Sequence, residues 1–252
     1  MQFARYIGID YSGAGSAQSR LPGLQVYAAS GDGPAARLSP PRGRHWSRQE
    51  VAQFCAAAVA AADPVIVGID HALSFPSTYM QRYTITTWTQ FLDDFCQHWP
   101  AAEPGVTVAA LRAGNARVGD AAELRLCERW TAGPKSVFQF GMQGQVATST
   151  HAGLPWIRWL RGRSDARVRF WPFDGFEVPA GSSVIAEVYP SLFRRRYRRG
   201  ARTVDEQDAF AVAQWLADMD RRGSLQHYLQ APPLGDAEAR DVHVEGWILG
   251  VT

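Results

Sequence analysis

Lysine is almost absent from this chain of 252 residues, because Lys135 is the one lysine among 26 basic residues. The 24 acidic residues leave a formal net charge of +2, which is too small to indicate a polyanionic partner. A preference for arginine over lysine suits phosphate recognition. GC-rich coding produces the same preference, and the many alanines favour this second explanation. The arginine bias by itself therefore identifies no function.

Cysteine is scarce as well. Cys55, Cys96 and Cys127 are odd in number and form no CxxC pair, so neither a disulfide framework nor a zinc knuckle is indicated. Each lies in a helix-like apolar stretch, and we expect buried free thiols. No apolar run approaches the length of a membrane span, and no signal peptide precedes the first strand. We therefore expect a cytoplasmic protein.

The composition is that of a globular protein, with 46% hydrophobic and 12% aromatic residues. The order of the expected elements predicts an α/β fold. Five strands are expected, at about 6–10, 24–30, 35–38, 64–70 and 183–190. The stretch "VRFWPFDGF" is a candidate for a further short strand. Helices are expected at 47–62, 84–98, 120–131, 153–162 and 203–222. Because no linker or repeat divides this order, we expect one domain over residues 1–252 with a large helical insertion at about 72–180, between the fourth and fifth strands.

Two of the expected strands end in the same tripeptide. Gly8-Ile9-Asp10 and Gly68-Ile69-Asp70 each close an apolar run. Alternation puts the glycine and the aspartate of each strand on one face, and the glycine leaves room there for a helix, a metal ion or a substrate backbone. Aspartates at strand ends are also ordinary turn residues. The matched context favours a shared site.

Three further acids are expected to point inward. Glu187 lies within an apolar strand, where an unpaired carboxylate is costly, so it requires a cation or a nearby arginine. Asp208 shares a helical stripe with Val212 and Leu216, and that stripe should face the sheet. Asp205 falls in the same stripe, although the helix dipole alone would also stabilise it.

A divalent cation would neutralise the repulsion within such a cluster of carboxylates, and Mg²⁺ and Mn²⁺ prefer hard oxygen ligands of this kind. The candidate ligands are Asp10, Asp70, Glu187 and Asp208, with Asp205 as an addition. Two such ions activate water and stabilise the leaving oxygen in phosphodiester cleavage. The sequence therefore predicts a two-metal site for phosphodiester hydrolysis.

This layout of acids resembles the ribonuclease-H-like superfamily, and "DEQDAFAVA" resembles the corresponding helix of bacterial Holliday-junction resolvases. More closely, the chain resembles domain-of-unknown-function family 429, described as predicted ribonuclease-H-like nucleases. The motifs that carry this resemblance are "GIDYSGA", "VGIDHALSFP", "VIAEVYPSLF", "DEQDAFAVA" and "EGWILGV". It implies a mixed five-stranded sheet flanked by helices, with Asp10, Asp70, Glu187 and Asp208 as catalytic metal ligands and Asp10 bridging the two ions. His71 departs from the small or apolar residue expected there, and is either a ligand gate or a turn residue.

Arginines cluster between the Glu187 strand and the Asp208 helix. The candidates for binding a DNA or RNA backbone are Arg194, Arg195, Arg196, Arg198 and Arg199, interleaved with Phe193 and Tyr197. A solvated turn that offsets the acids is the competing interpretation. Further candidate substrate contacts are Arg125, Glu128, Lys135 and Ser136, although the charges at 125, 128 and 129 also fit an exposed helix face.

Two other functions remain open. The turn "YSGAGSA" after Asp10 could hold nucleotide phosphates through its backbone N–H groups, as in the actin and sugar-kinase ATPases that share the ribonuclease-H-like core. Those enzymes use two duplicated domains, for which this chain is short. A catalytically silent module that binds a partner through the arginine cluster is the third interpretation.

Overall fold

A computed structural model describes residues 1–131, 135–141 and 146–252. Within these residues, seven strands form one mixed sheet with helices packed on both faces. The strands are β1 (Arg5–Asp10), β2 (Gln25–Ser30), β3 (Ala36–Arg37), β4 (Val65–Asp70), β5 (Val168–Trp171), β6 (Ser183–Val188) and β7 (Ile248–Leu249). The expected count of five strands was wrong, because β5 and the short β7 both pair with β6.

Most of the other regular structure in the described chain is helical. They are α1 (Arg48–Val59), α2 (Ser77–Arg82), α3 (Trp88–His98), α4 (Val108–Arg112), α5 (Leu126–Arg129), α6 (Val146–Arg161), α7 (Val204–Arg221), α8 (Leu225–Leu229) and α9 (Asp236–Glu245). Two 3₁₀ turns, Pro190–Leu192 and Arg194–Arg196, connect β6 towards α7. None of the helices in the described ranges combines the length and the apolar character needed to cross a membrane.

The strand order is β3-β2-β1-β4-β6-β5, with β7 paired to β6 outside this path. The hairpin pairs β1–β2 and β2–β3 are antiparallel. The pairs β1–β4, β4–β6, β5–β6 and β6–β7 are parallel. Because parallel strands point the same way, the carboxyl ends of β1, β4 and β6 meet at one edge of the sheet, the usual location of ligand sites in α/β proteins.

Alternation along the strands divides the core into two layers. Ile9 and Ile69 belong to the apolar cluster that includes residues of α1, α3 and α6. Tyr6 and Ile66, on the other face, belong to the cluster formed with α7 and α8. Strands buried on both faces in this way require the near-continuous apolar runs seen in β1 and β4.

The two glycines of the repeated tripeptide let α7 approach the sheet. A Cβ on Gly8 would lie 2.3 Å from the backbone oxygen of Ala209, and one on Gly68 would lie 2.7 Å from Cγ1 of Val212. Neither position has room for a methyl group. The sequence prediction that these glycines leave space beside the aspartates is confirmed, and the occupant of that space is a helix.

Two helix starts with a capping box were predicted correctly. Ser47 caps α1 and Thr203 caps α7, each reciprocated by a glutamate three residues later. The expected helix at 120–131 was wrong, because α5 has four residues. Asp120 Oδ1 instead accepts from the N–H of Ala122 at 2.8 Å, a local turn that competes with helix formation.

The other expected helices differ at their boundaries. The helix expected at 84–98 begins later, with Thr87 as its N-cap, and α2 precedes it without having been predicted. The helix expected at 153–162 begins earlier, since α6 already runs from Val146. Parts of the expected insertion, at 132–134 and 142–145, lie outside the described residues.

Candidate functional site

Asp10 and Asp70 lie side by side at the carboxyl edge of the sheet. They are directly paired in the parallel register of β1 and β4, and both point to the face that α7 covers. Burial raises the pKa of Asp10 most, and the neighbouring carboxylate of Asp70 raises it further. Burial likewise raises the pKa of Asp70, with a second contribution from the charge of Asp208. The pair is therefore a site of concentrated negative charge that favours a proton or a cation.

Asp208 reaches the same place from α7. It is 8% exposed and lies one helical turn before Val212, the residue packed against Gly68. Burial raises its pKa, while Arg194 opposes that rise. The guanidinium of Arg194 donates from Nη1 to Oδ2 of Asp208 at 3.0 Å. The stripe predicted from the sequence is thus confirmed for Asp208, which also has an arginine partner.

Asp205 is half-buried in the first turn of α7 and lines the same cleft. Its Oδ2 lies against Gly23, where an added Cβ would be 3.3 Å away. Burial raises the pKa of Asp205, and the adjacent Glu206 raises it further. Its charge also acts on Asp10. Asp205 is therefore close enough to the aspartate pair to influence it electrostatically.

Glu187 points to the opposite face of the sheet. In the parallel register of β4 and β6 it pairs with Ile69, so its side chain shares the face of Ile69 rather than that of Asp70. Arg125 donates to Glu187 Oε2 at 2.7 Å and to Oε1 at 2.5 Å, and the N–H of Leu73 donates to Oε2 at 3.1 Å. Both carboxylate oxygens of Glu187 are thus engaged by protein donors.

Arg125 is 1% exposed and is held by more than one acid. Its Nε donates to Glu128 Oε1 at 2.9 Å, and Glu128 is itself 4% exposed. The carbonyl of Glu245 accepts from Arg125 at 3.3 Å, while its carboxylate accepts from the backbone N–H of Leu126 at 2.7 Å. The interpretation of residues 125 and 128 as an exposed helix face was wrong, because they form a buried ionic network.

A cleft of about 720 Å³ joins these groups. It is lined by the four aspartates, the network of Arg125, Glu128 and Glu187, the turn after β1, the beginning of α6 and Arg194. Lys135, which the sequence analysis names as a candidate substrate contact, also lines the cleft. Ser136 is buried and its Oγ accepts from the N–H of Phe138 at 3.2 Å. The cleft is large enough for a nucleotide-sized group.

The turn after β1 is held from behind by Arg48, which no sequence motif had indicated. This arginine is 0% exposed and donates to the carbonyls of Ser12 at 3.2 Å, Ala14 at 2.7 Å and Gly15 at 3.0 Å. A turn whose carbonyls converge on a buried cation can offer its N–H groups to an anion. Ser12, Gly13 and Ala14 all line the cleft.

His71 lines the same cleft, and its ring is held in place by neighbouring residues. Its Nδ1–H donates to the carbonyl of Ala72 at 2.8 Å. Its Nε2 packs against Gly153 of α6 so closely that a Cβ added to this glycine would lie only 2.3 Å from it. The ring also packs edge-on against Tyr11 with centroids 4.5 Å apart. Burial lowers the pKa of His71 to about 4, so the ring is neutral at neutral pH. These contacts favour the turn interpretation over that of a ligand gate.

The arginine cluster is divided in two by the structure. Arg195, Arg196, Arg198 and Arg199 are exposed, and within the described ranges their side chains form no ion pair or hydrogen bond. Arg194 instead contacts Asp208 inside the cleft. Phe193 stacks on buried Trp215 with centroids 4.5 Å apart, and the hydroxyl of Tyr197 donates to Asp218. The interleaved aromatics therefore serve the core.

The three cysteines are free thiols, as predicted. Cys55 and Cys127 are buried, whereas Cys96 is only partly so. In the part of the chain that the structure describes, no group of three or more histidine, cysteine or acidic side chains is arranged to hold a metal ion. The aspartates are gathered in one cleft, but one of them is paired with an arginine.

Comparison with protein-family models, curated proteins and solved structures found no match to this chain. The resemblance to family 429 therefore stays a prediction. The functional interpretation depends on the geometry of the cleft.

Proposed function

We propose that this protein is a divalent-metal-dependent nuclease with a ribonuclease-H-like fold. The observation that carries the proposal is the register pairing of Asp10 with Asp70 at the carboxyl edge of the sheet, facing α7. A sheet with three antiparallel strands followed by parallel ones supports the fold assignment. Fold alone is weak evidence for function, so the proposal depends on the acids in the cleft.

The carboxylates suit Mg²⁺ or Mn²⁺ in their chemistry, because burial and mutual repulsion disfavour their charged forms without a cation. The residues that would hold the metal are Asp10, Asp70 and Asp208, with Asp205 at the margin. Glu187 does not fit this set, because it lies on the other face and both of its oxygens accept hydrogen bonds from protein donors. Its role is to fix Arg125, which lines the cleft.

When bound, the metal ions would supply an activated water and stabilise the leaving oxygen. The protein's own contribution is orientation. Its aspartates converge from two strands and one helix. The exposed Arg195, Arg196, Arg198 and Arg199 supply positive charge beside the cleft for a phosphate backbone. Arg194 is the member of the cluster that contacts a cleft aspartate, Asp208.

The test is cleavage of end-labelled branched, single-stranded and DNA–RNA hybrid substrates with Mn²⁺ or Mg²⁺. Wild type should cleave at least one substrate, and Asp70→Asn should abolish cleavage. Asp63→Asn is the matched control, since Asp63 is an exposed acid just before β4 and should leave cleavage unchanged. Equal activity of wild type and Asp70→Asn would remove the proposal.

Nucleotide binding is the second candidate, and Arg48 is the observation that favours it. By gathering three carbonyls of the turn at 12–15, this arginine preorganises a loop that could accept a phosphate. Calorimetric titration with ATP and Mg²⁺ tests it. Binding of ATP without any nucleic-acid cleavage would favour this function. Binding of nucleic acid without either activity would favour the silent module.

A further inference from the structure

Arg194 occupies the acidic cleft from the side of the 3₁₀ turn Arg194–Arg196. Its Nη1 is 3.0 Å from Oδ2 and 3.5 Å from Oδ1 of Asp208, so one guanidinium nitrogen approaches both carboxylate oxygens. The charge of Arg194 also lowers the pKa of Asp70 against the effect of burial. The guanidinium is thus a cation in contact with the aspartate cluster.

The backbone that carries Arg194 is fastened to α7 independently of this ion pair. Nε2 of Gln207 donates to the carbonyl of Arg194 at 3.2 Å and to that of Tyr197 at 2.9 Å. Arg202 in turn donates to Oε1 of Gln207 at 2.8 Å. Gln207 immediately precedes Asp208, so the helix that presents the acid also positions its arginine partner. The side chain can leave Asp208 while its backbone stays fixed.

The Arg194 side chain is 39% exposed, whereas that of Asp208 is 11% exposed. A partly solvated ion pair contributes little to stability, and its arginine can exchange partners at small cost. A divalent cation at Asp10, Asp70 and Asp208 would carry twice the charge of the guanidinium. It would therefore compete directly with Arg194 for Asp208.

We infer that Arg194 is a positioning residue that holds Asp208 in the metal-free protein, is displaced when a divalent cation binds, and then meets the substrate phosphate. The inference rests on the proposed metal-dependent function. It adds that Arg194 competes with the metal ion for Asp208. The other arginines of the cluster contact the substrate without this exchange.

The experiment is a calorimetric titration of the full chain with Mn²⁺ alone. Arg194→Ala should bind Mn²⁺ about tenfold more tightly than wild type, because a competing positive charge has been removed. Arg195→Ala is the matched control: it removes the same charge from the next residue, which does not contact Asp208, and should change the affinity less than about twofold. In an Asp208→Asn background, Arg194→Ala should no longer tighten binding.

A second measurement follows the arginine after its release. The affinity for a hydrolysis-resistant phosphorothioate oligonucleotide should fall in Arg194→Ala only when Mn²⁺ is present, and in Arg195→Ala with or without Mn²⁺. An Mn²⁺ affinity of Arg194→Ala that is equal to or weaker than that of wild type overturns the inference, as does equal tightening by both variants. Absence of Mn²⁺ binding in wild type and Arg194→Ala alike would instead remove the proposed function on which the inference rests.

Discussion

Glu187 and Asp70 occupy neighbouring parallel strands but point to opposite faces of the sheet. The register pairs Glu187 with Ile69, one residue away from Asp70, and a shift of one residue reverses the face. Arg125 donates a hydrogen bond to each carboxylate oxygen of Glu187. The five candidate acids are therefore divided into four aspartates and one glutamate that is paired with an arginine.

This division predicts opposite phenotypes for two conservative substitutions. Glu187→Gln should lower the free energy of unfolding by about 3–5 kcal/mol, because it leaves a charge on Arg125 poorly compensated in a buried site. Its Mn²⁺ affinity should stay within about threefold of wild type, since Glu187 is outside the proposed ligand set. Denaturant unfolding and Mn²⁺ calorimetry measure the two quantities.

Asp208→Asn is the counterpart. It should leave stability unchanged within about 1 kcal/mol, because the Arg194 ion pair is partly exposed. Mn²⁺ affinity should fall strongly. The account is contradicted if Glu187→Gln abolishes Mn²⁺ binding while the protein remains fully stable.

Much of the aspartate site could be predicted from sequence, because local patterns determine it. Strand alternation put each aspartate on the face of the glycine before it, and the repeated tripeptide indicated a shared site. The register of β1 and β4 pairs Asp10 with Asp70 directly. The capping box at Thr203 set the phase of α7, and with it the inward direction of Asp208. The direction of each side chain is set within one strand or one helix, where backbone geometry alone fixes it.

The partner of Glu187 could not be predicted, because Arg125 is 62 residues away in sequence. No spacing rule links a strand residue to the N-cap of a four-residue helix inside a long insertion. Arg48 was missed for a related reason: it follows an N-cap, where a charged residue normally faces solvent, yet it is fully buried beneath the turn after β1. Both cases are tertiary pairings of arginine with groups that local sequence does not identify.

The close approach of α7 predicts that the tripeptide glycines are irreplaceable. Gly8→Ala would bring a Cβ within 2.3 Å of the Ala209 carbonyl oxygen, a backbone atom that cannot rotate away. We expect a loss of about 3 kcal/mol or more in the free energy of unfolding, or failure to fold. Gly33→Ala is the control, since its nearest atom is 3.8 Å from the added Cβ, and should change stability by less than about 0.5 kcal/mol.

The raised pKa values of Asp10 and Asp70 predict a stability that falls in mildly alkaline solution. Because their pKa is higher in the folded protein than the ordinary value of about 4, the folded state binds more protons, and the free energy of unfolding decreases as pH rises. Above pH 7 the buried His71 and His151, whose pKa values are lowered to about 4 and about 3, are neutral and do not mask this slope.

Thermal denaturation between pH 7 and pH 9 measures the effect. Without metal the Tm of wild type should fall over this range, and Asp10→Asn with Asp70→Asn should flatten the slope. Added Mg²⁺ should raise the wild-type Tm more at pH 8 than at pH 6, because it binds the deprotonated acids. A wild-type slope that persists unchanged in the double variant would mean that other groups cause it.

The histidines give the opposite dependence in acid. Because the pKa of His151 is lowered in the folded state by burial, the unfolded chain binds more protons below about pH 6.5. The contribution of this histidine to stability therefore falls as pH decreases, and it opposes the contribution of Asp10 and Asp70. His151→Phe should reduce this acid sensitivity, since the ring already packs among Phe95, Trp99 and Phe140. Denaturant midpoints at pH 5 and pH 7 compare the two proteins. If the midpoint of the variant changes between the two pH values by the same amount as that of wild type, groups other than His151 cause the effect.

The most direct test of the metal site is a calorimetric Mn²⁺ titration of wild type, Asp10→Asn and Asp70→Asn, with Asp63→Asn as the control. Wild type and Asp63→Asn should bind Mn²⁺ with the same affinity, and each of the other variants should bind at least about 100-fold more weakly. Absence of Mn²⁺ binding by wild type, with and without an oligonucleotide, would contradict the account, as would binding by either cleft variant at the wild-type affinity.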